Sequence, residues 1–151
     1  MTELRFAVTV HQPPDVVFGV IADMRSYDRW LPGSGAFTGV ATISPGPVGL
    51  GTTYTDRGPL SAMRGEVTEY APSETIGFSQ QFRVPPLPGT FTIQAKYILR
   101  AVDLGTHLER TVTVHAQGAV RLVQPILLFS IRRESWRVLH TLQRYLATPP
   151  G

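Results

Sequence analysis

Residues 121–147, RLVQPILLFSIRRESWRVLHTLQRYLA, change the period of the chain. Upstream, apolar residues tend to alternate. Here they recur every three or four positions. Leu128, Ile131, Val138, Leu142 and Tyr145 share one helical face, while Arg132, Arg133, Arg137, His140, Gln143 and Arg144 lie largely on the other. One long amphipathic helix is expected from Arg121 to Ala147. Pro125 marks its start, because proline is tolerated in a first helical turn. The stretch from Leu122 to Ile131 is apolar almost all round, and a helix of that kind needs cover on every side, or a ligand.

Working outward, the preceding segments alternate with the period of a strand. In Thr75 to Arg83 one parity is Ile76, Phe78, Gln80 and Phe82. In Thr90 to Val102 it is Phe91, Ile93, Ala95, Tyr97 and Leu99, and in His107 to Gln117 it is Leu108, Arg110, Val112, Val114 and Ala116. The link Asp103-Leu104-Gly105-Thr106 predicts a hairpin. Further strands are expected at Phe37 to Ile43, Thr52 to Asp56 and Met63 to Tyr70. Short Gly- and Pro-containing turns between strands argue for an antiparallel, curved sheet.

At the other end, Leu4 to Val10 reads as a strand that buries Phe6, Val8 and Val10. Pro13-Pro14 stops pairing and pre-sets a helix start. The helix Asp15 to Ala22 is too apolar to lie in water, and a second helical turn around Arg25 to Trp30 ends at Pro32. The architecture expected is α+β: about seven strands in one curved antiparallel sheet gripping a long C-terminal helix, with two short helices after the first strand.

Length and composition narrow the class. A chain of 151 residues is single-domain length and long enough to bury a core unaided. With 42% hydrophobic and 17% charged residues it is globular, not disordered. No cysteine is present, which removes disulfides, thiolate metal sites and cysteine nucleophiles, and is compatible with a cytoplasmic location. The first residues predict no signal peptide, and the longest apolar run, Ile126 to Ile131, is too short for a transmembrane helix. Net charge is +3, and the one basic doublet, Arg132-Arg133, is followed at once by Glu134, so nucleic acid is not an expected partner.

Strand parity points three polar groups toward the sheet–helix interior: Gln80, Tyr97 and Arg110. Tyr54 joins them from its own short strand. A guanidinium on an apolar face needs a partner, since a buried unpaired charge costs several kcal/mol. Arg110 is therefore a clamp for a ligand oxyanion, a member of an ion pair with Asp56, Glu66 or Glu69, or a residue near the sheet end that reaches water. Tyr97 and Tyr54 either donate hydrogen bonds to a carbonyl or pack with their hydroxyls at a pocket mouth. Gln80 either orients a ligand or pairs with Tyr97. The four histidines, at 11, 107, 115 and 140, show no metal-ligating spacing, and no Ser-His-Asp order or phosphate-cradling glycine loop stands out.

The order strand, two small helices, six strands, long helix, together with Pro13-Pro14-Asp15-Val16-Val17-Phe18, Asp23, and Tyr27-Asp28-Arg29-Trp30-Leu31-Pro32, resembles the START-like (SRPBCC, polyketide cyclase/dehydrase, helix-grip) superfamily. Further matches are Gly51-Thr52-Thr53-Tyr54, Gly65 to Pro72, Gly105 to Glu109 and Arg133 to Leu139. The resemblance covers essentially the whole chain, so residues 1–151 read as one START-like domain. It implies binding of a hydrophobic small molecule, such as a lipid, a polyketide-like compound or an aromatic metabolite, in a cavity between sheet and C-terminal helix. Expected walls are Trp30, Tyr54, Phe78, Phe91, Ile93, Leu108, Val112, Leu128 and Ile131, with Gln80, Tyr97 and Arg110 orienting the polar end. The alternatives are a metal-independent cyclase or dehydratase using Tyr97 and Arg110 on an enolate, and a protein-partner module without a small ligand. No cofactor is expected, and the chain is expected to be a monomer or homodimer. Fold by itself does not choose among these readings.

Overall fold

Pro13 and Pro14 decide how the chain leaves its first strand. In the computed structural model, which describes residues 2–31, 40–56, 63–84 and 86–147, strand β1 (Thr2–Val10) runs into helix α1 (Pro14–Ala22). Proline occupies the first helical turn, and the Pro13 carbonyl accepts from the amides of Val16 (3.1 Å) and Val17 (3.2 Å). α1 buries Val17, Phe18, Ile21 and Ala22, and Phe18 meets Tyr70 edge-on at 5.3 Å. A kinked 3-10 segment, Met24–Arg29, follows. These two helical pieces carry the chain from one edge of the sheet to the other.

From that far edge the chain meanders back. The strands are β2 (Val40–Ile43), β3 (Thr53–Asp56), β4 (Met63–Ala71), β5 (Thr75–Phe82), β6 (Gly89–Val102) and β7 (Gly105–Gly118). All neighbours are antiparallel, in the order β1-β7-β6-β5-β4-β3-β2. The expected start of a strand at residues 37–39 lies outside the described residues. The expected hairpin is present: Val102 pairs with Gly105 across Asp103-Leu104. Gly105 has φ +143°, and a Cβ there would stand 2.1 Å from the Val10 carbonyl oxygen, so glycine is required where the hairpin meets the end of β1.

Residues 119–123 form a second 3-10 turn that leads into α2 (Gln124–Ala147), with Pro125 in its first turn. One face of the sheet, α1 and α2 enclose the core. Strand parity holds: Phe91, Ile93, Ala95, Tyr97 and Leu99 on β6 and Leu108, Val112 and Val114 on β7 are buried. On α2 the buried row is Ser135, Leu139, Leu142 and Leu146. This differs from the expected row. Leu142 is shared, and Leu128, Ile131 and Val138 are partly buried, but Tyr145 is 45% exposed. An apolar stripe as wide as this one contains two possible seams, and contacts with β1 choose between them. Gln12 Nε2 donates to the Leu146 carbonyl at 3.1 Å and Gln143 Nε2 to the Thr9 carbonyl at 2.7 Å, which sets the helix's rotation at its C-terminal end.

The all-round apolar start of the helix is not covered as expected. Leu122 (79%), Ile126 (68%) and Phe129 (67%) are exposed. Among the described residues no helix is long and apolar enough to cross a membrane.

Candidate ligand-binding site

The register of the β6–β7 hairpin places Tyr97 directly opposite Arg110, with Phe6 of β1 on the other side of Arg110. All three sit on the core parity of their strands. Arg110 Nη1 donates to the Tyr97 hydroxyl, its guanidinium carbon lies 5.2 Å from the Tyr97 ring centroid, and its Nε donates to Ser135 Oγ at 3.0 Å. Ser135 is completely buried on α2. The arginine thus bridges sheet and helix through hydroxyl groups.

None of the acids considered from the sequence is shown as its partner. Glu69 pairs with Lys96 at 3.0 Å. Glu66 is exposed on the opposite face of β4, between buried Gly65 and Val67. The side chain of Asp56 lies outside the described residues. Among the described residues the half-buried guanidinium has neutral hydrogen-bond partners and no ion pair. A neutral hydroxyl satisfies a donor without cancelling the charge, so the field of the cation persists in the interior.

Of the two roles expected for Gln80, the pairing with Tyr97 is not formed. Its register partners are Gly65 and Ile93, whereas Tyr97 lies opposite Ile76. Gln80 Nε2 therefore donates to the Tyr54 hydroxyl, at 2.7 Å, and not to Tyr97. Tyr54, Gly65 and Gln80 stand in register across three strands. A Cβ on Gly65 would lie 2.3 Å from Tyr54 Cζ. Glycine lets the Tyr54 ring lie across β4 and reach β5. Tyr54 then meets Phe78 edge-on at 6.1 Å, and Phe78 meets Tyr97 edge-on at 6.4 Å. This aromatic row ends at the Arg110 cluster.

Tyr27 lies within the 3-10 segment after α1 and Trp30 at its end. Tyr27 donates its hydroxyl to the Ile21 carbonyl. Burial raises its pKa well above the ordinary tyrosine value. The nearby Tyr97 and Tyr54 hydroxyls push the same way, Arg110 opposes them, and Asp23 adds a smaller rise. Trp30 is 8% exposed, edge-on to Tyr27 at 5.5 Å and tilted against Tyr145 of α2 at 6.5 Å. Among the described residues its indole N–H is buried with no hydrogen-bond partner. An orphaned buried donor is uncommon and calls for an explanation.

The remaining expected wall residues divide. Phe78 and Ile93 are buried with slight residual exposure, and Leu128 and Ile131 are partly buried against the core. Phe91, Leu108 and Val112 are completely buried and fill the core; Phe91 stacks on Phe82 at 5.3 Å. A cleft of about 550 Å³ opens on the opposite face of the sheet, where Ser44, Thr53, Arg64, Glu66, Ser79 and Gln81 point outward. Tyr54 and Gly65 of the inner row border it as well.

Sequence reasoning did not single out Ser135 or Tyr27 as site residues. Ser135 had a signal: it falls on the helical row of Leu128, Ile131, Val138 and Leu142, where a polar residue needs a reason. His11, His115 and His140 are exposed, and among the described residues no cluster of three or more acids and histidines is placed to hold a metal ion.

A curved antiparallel sheet closed by one long C-terminal helix, with two short helices after the first strand, defines the helix-grip class. The family profile described as polyketide cyclase / dehydrase and lipid transport matches residues 1–147, and the chain belongs to that family. Solved structures share the fold at low identity. Protein MLL2253 from Mesorhizobium loti matches with TM-score 0.75 and 14% identity, over 99% of this chain and 100% of that one. The Zhui aromatase/cyclase from a Streptomyces species matches with TM-score 0.73 and 16% identity, over 97% and 93%. Ara h 8.0201 matches with TM-score 0.71 and 18% identity, over 97% of both chains. A comparison with curated protein sequences finds no match.

Proposed function

We propose that this chain is a single-domain, cytoplasmic carrier of a hydrophobic small molecule, acting as a monomer or homodimer without a cofactor. The ligand lies between the sheet and α2 with its oxygen-bearing end at Tyr97, Arg110 and Ser135. The observation that carries the reading is Arg110, an arginine on the core face held by two hydroxyls and no described carboxylate. A guanidinium in that setting suits a carboxylate, phenolate or enolate oxygen, because its remaining N–H donors and its charge are available to one. Tyr54, Phe78, Ile93, Leu128 and Ile131 supply the apolar surround, with Gln80 orienting Tyr54.

Native mass spectrometry of the purified chain beside a denatured control tests this, followed by titration with long-chain fatty acids and hydroxylated anthraquinones. A co-purifying apolar molecule, or a binding constant weakened about tenfold or more in Arg110→Met, is the expected result. An empty protein with no thermal shift from either ligand class overturns it.

A second reading is favoured by one specific contact. Tyr97 and Arg110 meet at a single point, which suits an enolate formed during cyclisation or dehydration of a polyketide-like chain. Turnover of a poly-β-ketone probe that is lost in Tyr97→Phe, with binding retained, would separate catalysis from carriage.

A further inference from the structure

The face of α2 turned away from the core is not an ordinary solvated helix face. Leu122, Ile126 and Phe129 are exposed by 79%, 68% and 67%, and Trp136, two turns further on, by 41%. Trp136 is held in place by Phe6 beneath it, edge-on at 5.3 Å, and by His140, stacked at 5.4 Å. Arg133 and His140 share this face, and Arg121, Arg132 and Arg144 are exposed beside it. Between residues 119 and 147 the sequence contains five arginines and one acid, Glu134. That acid is bonded to Arg137 at 2.9 Å.

Large apolar side chains and arginines without acids on one exposed helix face form the composition of an interfacial helix. The apolar groups are too exposed to serve the core, and three of them fall within about two turns. Arginine stems cover apolar surface while their guanidiniums reach phosphate groups. We infer that α2 and the turn before it dock on the surface of an anionic phospholipid bilayer, with Leu122, Ile126 and Phe129 entering the interface and Arg121, Arg132 and Arg133 meeting lipid phosphates. The occupant is chosen by charge complementarity: the exposed charged side chains on and beside this face, Arg121, Arg132, Arg133 and Arg144, are all cationic. The helix lies on the bilayer and does not span it. This inference is independent of what the interior binds.

The experiment is co-sedimentation of the full chain with vesicles of phosphatidylcholine containing phosphatidylglycerol, and with vesicles of phosphatidylcholine alone. Binding to the anionic vesicles is expected at least about tenfold tighter, and weakened by salt. The double variant Ile126→Ser with Phe129→Ser is expected to reduce binding about tenfold or more, and Arg132→Gln or Arg133→Gln about fivefold each. Unchanged melting temperatures establish that these exposed substitutions leave the fold intact. Equal binding to both vesicle types, or full binding by the double variant, overturns the inference. So does binding to poly-glutamate in place of vesicles, which assigns the face to an acidic polypeptide. A concentration-dependent dimer lost in the double variant, without vesicle binding, overturns it as well and assigns the face to a second copy of this chain.

Discussion

The C-terminal half of α2 and its N-terminal half meet different surroundings along one continuous helix. Leu139, Leu142 and Leu146 are buried, and Gln12 and Gln143 tie that half to the end of β1. Leu122, Ile126 and Phe129, in the N-terminal half and the turn before it, stay largely exposed. Between the halves, Ser135 receives Arg110. The hydropathy of the two halves runs opposite to their burial: the more apolar half is the more exposed one. Burial here follows the position of β1 and the hairpin β6–β7, not the local density of apolar residues. One end of the helix is seated in the core, and at the other end Leu128 and Ile131 pack against it while Ile126 and Phe129 stay outside.

The largest effect should come from comparing matched truncations in the two halves. Leu139→Ala is expected to destabilise by about 2–5 kcal/mol, through lost burial and the cavity left behind. Phe129→Ala is expected to change stability by no more than about 0.5 kcal/mol, as at other exposed sites. Urea unfolding measures both, and equal values would erase the contrast between the halves.

At the boundary, Arg110→Ala should destabilise by about 1–3 kcal/mol, because the Tyr97 hydroxyl and Ser135 Oγ lose a partner inside the protein. Ser135→Ala should cost about 1 kcal/mol. The double variant is expected to be less destabilised than the sum, with a coupling of at least about 0.5 kcal/mol. Strict additivity would show that the bond between strand and helix contributes nothing.

Tyr27 offers a pH test of how well the interior is sealed. Its pKa is raised in the folded chain, chiefly by burial. In the unfolded chain it ionises near the ordinary value of about 10. The native state therefore keeps its proton where the unfolded state has released one. The associated stability is complete below about pH 10 and is lost as pH rises toward the raised folded value. Tyr27→Phe should flatten the alkaline limb of the melting-temperature profile. An unchanged limb would mean that water reaches the hydroxyl.

Gln143→Ala is expected to cost about 1 kcal/mol. Hydrogen exchange should show its effect confined to the last turns of α2, with no increase around Ile126. A uniform rise along the helix would mean that the two halves open together.

Much of the fold is legible in the order of residues. Pro13-Pro14 announces the break after β1, the Gly-containing link Asp103-Leu104-Gly105-Thr106 announces the long hairpin, and strand alternation puts Tyr97, Arg110 and Gln80 on the inner face. Those readings rest on proline geometry and the period of two, which act within a few residues. The partners chosen by Gln80 and Arg110 are not legible in that way. Gln80 bonds Tyr54 because Gly65 stands between them in register, and Arg110 bonds Ser135 because α2 turns that position inward.

The sequence by itself determined the order of elements, the strand face on which each polar group falls, and the presence of a long amphipathic helix. Only the tertiary structure decided which of two adjacent apolar rows on that helix is buried, which apolar side chains remain outside, and which hydroxyls meet the arginine. The period of a strand or helix is a local property of consecutive residues. Register across strands and the rotation of α2 are settled by contacts between residues far apart in the chain, such as Thr9 with Gln143 and Arg110 with Ser135.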